Sequence, residues 1–226
     1  MYAVNYLIFR DANYMLRLFL AQLGFLPISV LLVTIIINRL LSQRAKAAKL
    51  RKLNMVIGAF FSEVGTDLLS MFSRYVPELA AFRDKIKGLG SWSDRDFSDF
   101  QPRLRQDKFE IVLAAGDPET LCYFLLGKRD FLLRLLENPN LLEHDSFANL
   151  LLAVFHLTEE LAQRRDLDHL TPGDRGHLAG DIERAYVALI SEWLAYMRHL
   201  KKNYPYLFSL ALRTNPFDPE ASVVIE

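Results

Sequence analysis

A chain of 226 residues, 51% of them hydrophobic and 24% charged, is long enough for one membrane anchor and one sizeable domain, and too apolar to be disordered over most of its length. Its net charge of zero hides an asymmetry, because residues 39–52 carry six cations and no acid, whereas residues 53–226 carry 19 basic and 26 acidic residues. An acidic domain argues against nucleic-acid binding, which normally needs a basic patch, and the single cysteine, Cys122, excludes an internal disulfide.

The first 17 residues, Met1–Arg17, are apolar and aromatic. Tyr2, Tyr6 and Tyr14 precede a long uncharged stretch, and tyrosines in that position are typical of the aromatic belt at a membrane surface. We therefore interpret residues 1–17 as an interfacial N-terminal segment. It either lies in the membrane surface as a short helix or extends the following helix by one or two turns.

The uncharged stretch Leu18–Asn38 dominates the chain. As a helix its 21 residues would reach about 31 Å, close to the hydrocarbon thickness of a bilayer at about 30 Å. Pro27 lies inside the stretch, and a transmembrane helix tolerates proline. A cleaved signal peptide would have a shorter apolar core, and a buried helix of a soluble protein seldom has so long an uncharged run. Residues 18–41 are therefore predicted to form one transmembrane helix.

A group of cations, which we call the basic flank, follows the predicted span within fifteen residues, whereas two basic residues precede the span. The basic flank consists of Arg39, Arg44, Lys46, Lys49, Arg51 and Lys52. The positive-inside rule puts the C-terminal part in the cytoplasm and Met1 outside, and anionic lipid headgroups would attract the basic flank. Residues 42–52 are rich in helix formers, so the spanning helix is predicted to continue through this juxtamembrane segment into the next domain.

The cytoplasmic domain, residues 53–213, is predicted to be an irregular helical bundle. Its first helix is predicted over Leu53–Tyr75, where apolar residues recur at the three- and four-residue spacing of a buried face. Gly58, Ser62 and Gly65 fall on one face of that helix and would permit another helix to approach closely. That neighbour is either a helix of the same domain or a second copy of the chain in a dimer.

Caps and helix breakers place the elements that follow. Short helices are predicted over Glu78–Lys87, after Ser93, which forms a capping box with an acid three residues later, and over Lys108–Ala115. Asp117, followed by proline, begins a helix that extends to about Glu137. This helix is apolar nearly all round, so we expect it at the centre of the core.

Two more long helices follow. Asp145 or Ser146 is predicted to cap the first, and Thr171, again before a proline, begins the second, which extends to about Asn203. The second helix has an inward apolar stripe that consists of Ile182, Tyr186, Leu189, Ile190, Trp193, Met197 and Leu200.

The C-terminal segment is aromatic and rich in proline. Its aromatic residues are Tyr204, Tyr206, Phe208 and Phe217, and residues 214–226 are predicted to form an extended tail. The aromatic side chains either pack on the bundle and close it, or form a patch for a partner or for the cytoplasmic leaflet. Because no stretch alternates as several strands would, the fold class is predicted to be mostly α, with one N-terminal transmembrane helix continuing into the bundle.

Motifs that carry chemistry are scarce in this sequence. Gly88 and Gly90 lack the spacing, the preceding strand and the lysine of a nucleotide-binding loop. No nucleophile elbow of the Gly-x-Ser-x-Gly type occurs. Cys122 falls within an apolar helix, where a thiol is usually inert packing.

Four residues are nevertheless candidate metal ligands, because helical bundles can hold metal ions between facing helices. They are His156, Glu159, His177 and Asp181, and their i,i+3 and i,i+4 spacings place each histidine and acid on one helix face. Solvent-exposed acids and a favourable first helical turn explain the same residues. The sequence therefore predicts no metal and no cofactor.

The function predicted from these patterns is that of a single-pass membrane protein, a non-catalytic adaptor, scaffold or regulatory subunit at the cytoplasmic face. Its partners would be membrane lipid, including anionic headgroups, and either another protein or a second copy of the chain, but not nucleic acid. Two alternatives stay open. One is a membrane-bound enzyme or metal-binding bundle that uses the four candidate ligands, and the other is an accessory subunit of a transporter or channel.

Overall fold

The computed structural model describes residues 12–104, 108–142, 144–218 and 221–224. These residues form helices and the loops between them and no strand, which confirms the prediction of an α-helical protein. The larger part of the predicted interfacial segment, residues 1–11, lies outside the described residues, as do four residues of the predicted tail.

The chain divides into two compact units, Met1–Arg51 and Lys52–Glu226. A π-helix, Phe61–Gly65, separates the first two α-helices, and short 3₁₀ turns occur at Leu89–Ser91 and Leu113–Ala115. Over the described ranges the α-helices are α1 (Ala12–Phe60), α2 (Thr66–Ser73), α3 (Ala80–Ile86), α4 (Asp94–Leu104), α5 (Pro118–Leu136), α6 (Pro139–Leu142), α7 (Asp145–Ala162), α8 (Pro172–Asn203) and α9 (Pro205–Arg213).

In the first unit, helix α1 carries the uncharged stretch. By length and composition, the described part of the chain contains one run of helix long and apolar enough to cross a membrane, and none of the side chains in its most apolar window is buried. The hydroxyl groups along it bond to carbonyls of the same helix, Ser29 Oγ to Leu26 at 2.8 Å and Thr34 Oγ1 to Val30 at 2.7 Å. No hydroxyl of these two residues therefore needs a partner outside the helix.

In the second unit, helix α8 is the central element. It packs against α2, α4, α7 and α9, while α5 packs against α7. The inward stripe predicted for α8 is confirmed, because each of its seven residues is buried. The prediction that the Asp117 helix lies at the centre of the core is wrong. This helix, α5, buries one side, while Tyr123 and Leu126 on its other side are exposed.

The predicted helix Leu53–Tyr75 is interrupted, which sequence periodicity did not indicate. The amide of Thr66 and its Oγ1 both donate to the carbonyl of Phe61, five residues earlier, so the chain widens into one π turn. Packing accompanies this turn, since Phe61 stacks on Tyr196 at 5.1 Å and Phe60 meets Phe147 edge-on at 5.2 Å. One extra residue in the turn changes which side chains share a face.

The prediction of a short helix over Lys108–Ala115 is wrong. Residues 108–112 have no regular structure, and the 3₁₀ turn Leu113–Ala115 is the helical part of this range. The amide of Val112 donates to the carbonyl of Tyr75 at 2.8 Å, so this segment bonds to a distant part of the chain rather than to itself. Adjacent β-branched residues at 111 and 112 favour the extended form.

Three predicted caps are confirmed and one is wrong. Asp117 accepts from the amide of Thr120 at 2.9 Å, and Thr171 accepts from the amide of Asp174 at 3.2 Å. The Ser93 capping box is also present, with its amide donating to Asp96 at 2.7 Å. For α7, however, the cap is not Asp145 or Ser146 but His144, whose Nδ1 accepts from the amide of Phe147 at 3.4 Å. Asp145 and Ser146 instead lie in the first turn.

The aromatic C-terminal segment packs on the bundle in part. Phe208 and Phe217 are buried, and Phe217 contacts Phe82 and Trp193 with ring centroids 5.1 Å away in each case. Tyr206, by contrast, is 71% exposed. The segment after α9 therefore contributes one core side chain rather than lying free on the surface.

The buried hydroxyl of Tyr186 gives a testable pH dependence. It lies 2.9 Å from Ser73 Oγ, and burial raises the pKa of Tyr186 from 10.0 to about 12. Between pH 10 and 12 the unfolded chain therefore loses this proton while the folded chain keeps it, so the contribution to stability is full below pH 10 and declines as the pH rises. We expect Tyr186→Phe to weaken this alkaline loss and to cost about 1 kcal/mol at pH 7, because the Ser73 hydroxyl loses its partner.

Denaturant titrations of wild-type protein and Tyr186→Phe from pH 8 to 12 measure this effect as a difference. Tyr123→Phe is the matched control, since Tyr123 is 77% exposed on α5. Identical pH curves for wild-type protein and Tyr186→Phe would remove the buried tyrosine as the cause.

Candidate metal centre

Two histidine–acid pairs face each other where α7 packs against α8. His156 and Glu160 are four residues apart on α7, and His177 and Asp181 are four residues apart on α8, so each pair lies on one helix face. Both pairs lie near the loop that joins the two helices.

The histidine nitrogens converge on one buried carboxylate oxygen. Asp181 Oδ2 lies 3.3 Å from His177 Nε2 and 3.6 Å from His156 Nε2. One donor atom from each of these three residues lies within 4.8 Å of the other two. The histidine side chains are about half exposed, at 48% and 52%, whereas the Asp181 side chain is 2% exposed. The carboxylate of the cluster is thus buried, and the two imidazole rings are accessible to solvent.

Asp181 is held by one arginine on one side only. Its Oδ1 accepts from Arg184 at 2.8 Å, one turn along the same helix. Its Oδ2 is buried and accepts no hydrogen bond from any described residue. A buried carboxylate oxygen without a hydrogen bond is costly, because it has lost the hydrogen bonds that it makes with water. This oxygen is the one that both histidine nitrogens approach.

Glu160 borders the cluster on the α7 side. Its Oε2 accepts from Arg164 at 2.7 Å and lies 3.5 Å from His177 Nε2, while its Oε1 lies 3.9 Å from His156 Nε2. The hydrogen bond from Arg164 lowers the pKa of Glu160, so this carboxyl stays ionised. Arg164 also donates to Asp174 at 3.2 Å, which fixes the guanidinium between two acids.

Of the four candidate ligands, the structure brings together three. Glu159 points elsewhere and accepts from Arg129 on α5 at 2.9 and 3.1 Å. The guanidinium of Arg129 also lies 5.4 Å from the centre of the Phe155 ring. The acid beside His156 is instead Glu160, which was not among the candidate ligands. A His-x-x-x-acid spacing occurs once in each helix and is compatible with Glu160, but the His-x-x-acid spacing of Glu159 is equally compatible with one helix face.

The three small residues proposed as a packing face do not share one buried surface. A side chain added at Gly58 would lie 3.2 Å from the Tyr196 hydroxyl, and one at Gly65 would lie 2.6 Å from Phe61 Cδ1. Ser62 is exposed. Both glycines therefore face aromatic rings of their own domain, whereas Ser62, in the same π turn as Gly65, does not take part in this packing.

The residues of the basic flank are exposed, apart from the partly buried Lys49. Their charged groups are therefore accessible to solvent or to a charged surface. Cys122, which the sequence treats as packing, is partly buried on α5, and burial raises the pKa of its thiol. A raised pKa leaves less thiolate at neutral pH, so this cysteine is a poor nucleophile.

The cluster of two imidazoles and a carboxylate is a donor set that divalent transition metals prefer. The fold and this cluster define a helical protein with an apolar N-terminal helix and a paired-histidine site between two helices. Residues 49–213 match the family model described as the C-terminal helical domain of uncharacterized protein MJ1433, and residues 1–41 match the model described as the N-terminal helical domain of MJ1433. The chain belongs to the MJ1433 family.

A relative in this family is similar over the whole length of this chain. The protein of Methanocaldococcus jannaschii described as "Uncharacterized protein MJ1433" is 46% identical to this chain over 225 residues, which cover 100% of this chain and 90% of that protein. No solved structure matches the chain. Both family descriptions name helical domains, in agreement with the helices described above.

Proposed function

We propose that the chain is a single-pass membrane protein that holds a helical domain at the cytoplasmic face of the membrane. Residues 18–41 of α1 would span the bilayer, with the N-terminus outside and the second unit in the cytoplasm. There the domain would act as an adaptor, scaffold or regulatory subunit that binds another protein.

The observation that carries this proposal is the unburied apolar surface of α1. Leu31 is 62% exposed, Phe25 is 65% exposed and Ile28 is 58% exposed, although each is a large hydrophobic side chain. Soluble proteins seldom expose a continuous apolar surface of this length, because its hydration is unfavourable. In a membrane, hydrocarbon would cover this surface. The hydrogen bonds within the helix satisfy the backbone amide and carbonyl groups, which hydrocarbon cannot do.

The charges on either side of the uncharged stretch support the orientation. The basic flank follows the stretch and no acid interrupts it, whereas two basic residues precede it. An excess of lysine and arginine beside a span favours the cytoplasmic side. Anionic headgroups of that leaflet would also attract these exposed side chains.

The adaptor role is supported by an apolar surface on α9. Tyr206 is 71% exposed, Leu207 is 37% exposed and Leu210 is 40% exposed. These residues are neighbours on a short helix, so they form one patch rather than scattered contacts. Such a patch on a folded domain is typical of a site that binds another protein or a membrane surface.

The anchor is tested by fractionation. We expect the full chain to stay in the membrane pellet after alkaline carbonate extraction, and a variant that lacks residues 1–41 to move to the supernatant. The physical reason is that the deletion removes the whole uncharged stretch. A deletion variant that stays in the pellet would contradict the prediction of a single anchor. It would show that the second unit also binds the membrane, and the exposed apolar patch on α9 is the candidate surface for that contact.

The orientation is tested by labelling intact cells with a membrane-impermeant maleimide. Cys122 is the only cysteine, so the Cys122→Ser variant provides a background without thiols. Asn13→Cys and Ser222→Cys in that background are a matched pair, since both positions are exposed and lie on opposite sides of the uncharged stretch. We expect labelling of Asn13→Cys alone. Labelling of Ser222→Cys alone would reverse the topology.

A further inference from the structure

We propose that His156, His177 and Asp181 bind one divalent first-row transition-metal ion such as Zn²⁺ between α7 and α8. The inference is independent of the membrane anchor, since all three residues belong to the helical domain. The ligand atoms are the two histidine Nε2 atoms and Asp181 Oδ2.

The first support is the spacing of the donor atoms. In a tetrahedral zinc site with metal–nitrogen bonds of about 2.0–2.1 Å, neighbouring donor atoms lie about 3.3–3.4 Å apart. The separations from Asp181 Oδ2 to His177 Nε2 and His156 Nε2 are 3.3 and 3.6 Å. The two donor pairs that include Asp181 Oδ2 therefore already have nearly the spacing that a bound ion requires, and the donor atoms of the two histidines lie within 4.8 Å of each other.

The second support is the unpartnered oxygen of Asp181. The side chain is 2% exposed, and its Oδ2 accepts no hydrogen bond from the described residues even though two imidazole nitrogens lie near it. The contacts of Oδ2 with His177 Nε2 at 3.3 Å and His156 Nε2 at 3.6 Å are ion pairs only when the imidazole is protonated. With both imidazoles neutral, a cation bound by these three atoms would compensate the buried charge of Asp181.

The third support is the set of groups behind the ligands. Arg184 holds Asp181 through Oδ1 and so leaves Oδ2 directed at the histidines. Arg164 donates to Glu160 and holds it beside the two imidazole rings. The Glu160 carboxylate would add a second negative charge near the ion. Hydrogen-bonded carboxylates of this kind orient ligands and tune affinity in metal sites.

The donor set decides the class of ion. Two imidazole nitrogens and one carboxylate oxygen suit zinc, iron, nickel or copper, whereas calcium and magnesium favour sites built from oxygen. The half-exposed histidines give an ion access from solvent. They also leave room for water or another small ligand at a remaining coordination position.

The proposal is tested with full-length protein purified in detergent without a polyhistidine tag and freed of metal with a chelator. Calorimetric titration with ZnCl₂ is expected to saturate at one equivalent per chain, and titration with CoCl₂ to produce visible absorption bands of a nitrogen-coordinated ion. Absence of saturable binding of both ions would overturn the proposal and leave the cluster as a set of ion pairs.

His156→Gln and His177→Gln are the decisive variants, and their half-exposed positions keep the fold intact. Each is expected to weaken Zn²⁺ binding by at least about 10-fold, since even the loss of groups behind the ligands costs about 10–100-fold in metal affinity. His169→Gln is the matched control, because His169 pairs with Asp166 at 3.0 Å but is 85% exposed and lies outside the cluster. Wild-type affinity in both cluster variants, or an equal loss in His169→Gln, would contradict the assignment.

Discussion

Phe217→Ala is expected to lower the free energy of unfolding of the helical domain by about 3–5 kcal/mol, the usual cost of removing a buried phenylalanine. Phe217 is 1% exposed. Its ring meets Phe82 on α3 and Trp193 on α8 edge-on, with both centroid distances at 5.1 Å. The alanine would leave a cavity between two helices and would also remove two aromatic contacts, each worth about 0.5–1.5 kcal/mol beyond its buried area.

The position of Phe217 in the chain means that its removal is expected to do more than create a local cavity. Phe217 lies after α9 and is the one fully buried side chain among the described residues of this segment. The amide of Phe217 donates to the nearby Asn215 side chain at 3.1 Å. Loss of the ring is therefore expected to release the segment after α9 as well as to weaken the core.

Chemical denaturation of the full chain in detergent measures this loss, and tryptophan fluorescence includes a contribution from Trp193 beside the altered site as well as one from Trp92. Tyr206→Ala is the matched control, because Tyr206 is an aromatic residue on the preceding helix α9 and is 71% exposed. The control is expected to change the free energy of unfolding by less than about 0.5 kcal/mol. Equal effects of the two substitutions would show that Phe217 does not hold the segment in place.

Features set by local chemistry are the ones the sequence predicts. The Asp117 and Thr171 caps and the inward stripe of α8 depend on neighbours within one or two turns, and all are present. A cap needs a side-chain oxygen and a free amide three residues on, and a stripe needs only helical spacing. Both are visible in a short window of sequence.

Features that depend on contacts between residues distant in the chain are the ones that sequence patterns do not predict. The π turn at Phe61 accompanies stacking on Tyr196, and residues 108–112 have no regular structure, with the extended Val112 donating to the carbonyl of Tyr75. Neither partner is near in sequence, so no local pattern indicates the contact. The central place predicted for α5 failed for a related reason, because apolar residues all round a helix do not say which side faces another helix.

The candidate metal site shows both situations. Helical spacing correctly put His177 and Asp181 on one face, and the meeting of that face with His156 required the packing of α7 on α8. The i,i+3 and i,i+4 acids after His156 are both compatible with a helix, so spacing alone does not choose between them. The long-range contact with Arg129 distinguishes the two acids, because Arg129 donates to Glu159, whereas Glu160 lies beside the histidines.

Gly116→Ala is expected to lower the free energy of unfolding by about 3 kcal/mol, at the upper end of the usual cost of overpacking a core. A methyl group on Gly116 would overlap the ring of Tyr75. That ring is 1% exposed, so it has no free space to move into. The backbone of Gly116 is extended, with φ of −115°, so the requirement is for space and not for an unusual conformation.

Gly127→Ala is the matched control for this substitution, because an added side chain there meets nothing within 4 Å on the exposed face of α5. In a helix interior alanine is expected to raise stability by about 0.5–1 kcal/mol relative to glycine. The same chemical change should therefore have opposite signs at the two positions in denaturant titrations of the full chain.

A double-mutant cycle with Tyr75→Leu separates the clash from any general effect on the loop before α5. Leucine lacks the ring atoms that the new methyl group would meet, so Gly116→Ala should cost much less in the Tyr75→Leu background than in the wild type. An unchanged cost would mean that the ring of Tyr75 is not what requires glycine at position 116. A reduced cost would establish that this ring and the glycine beneath it form one packing unit, which joins the end of α2 to the start of α5.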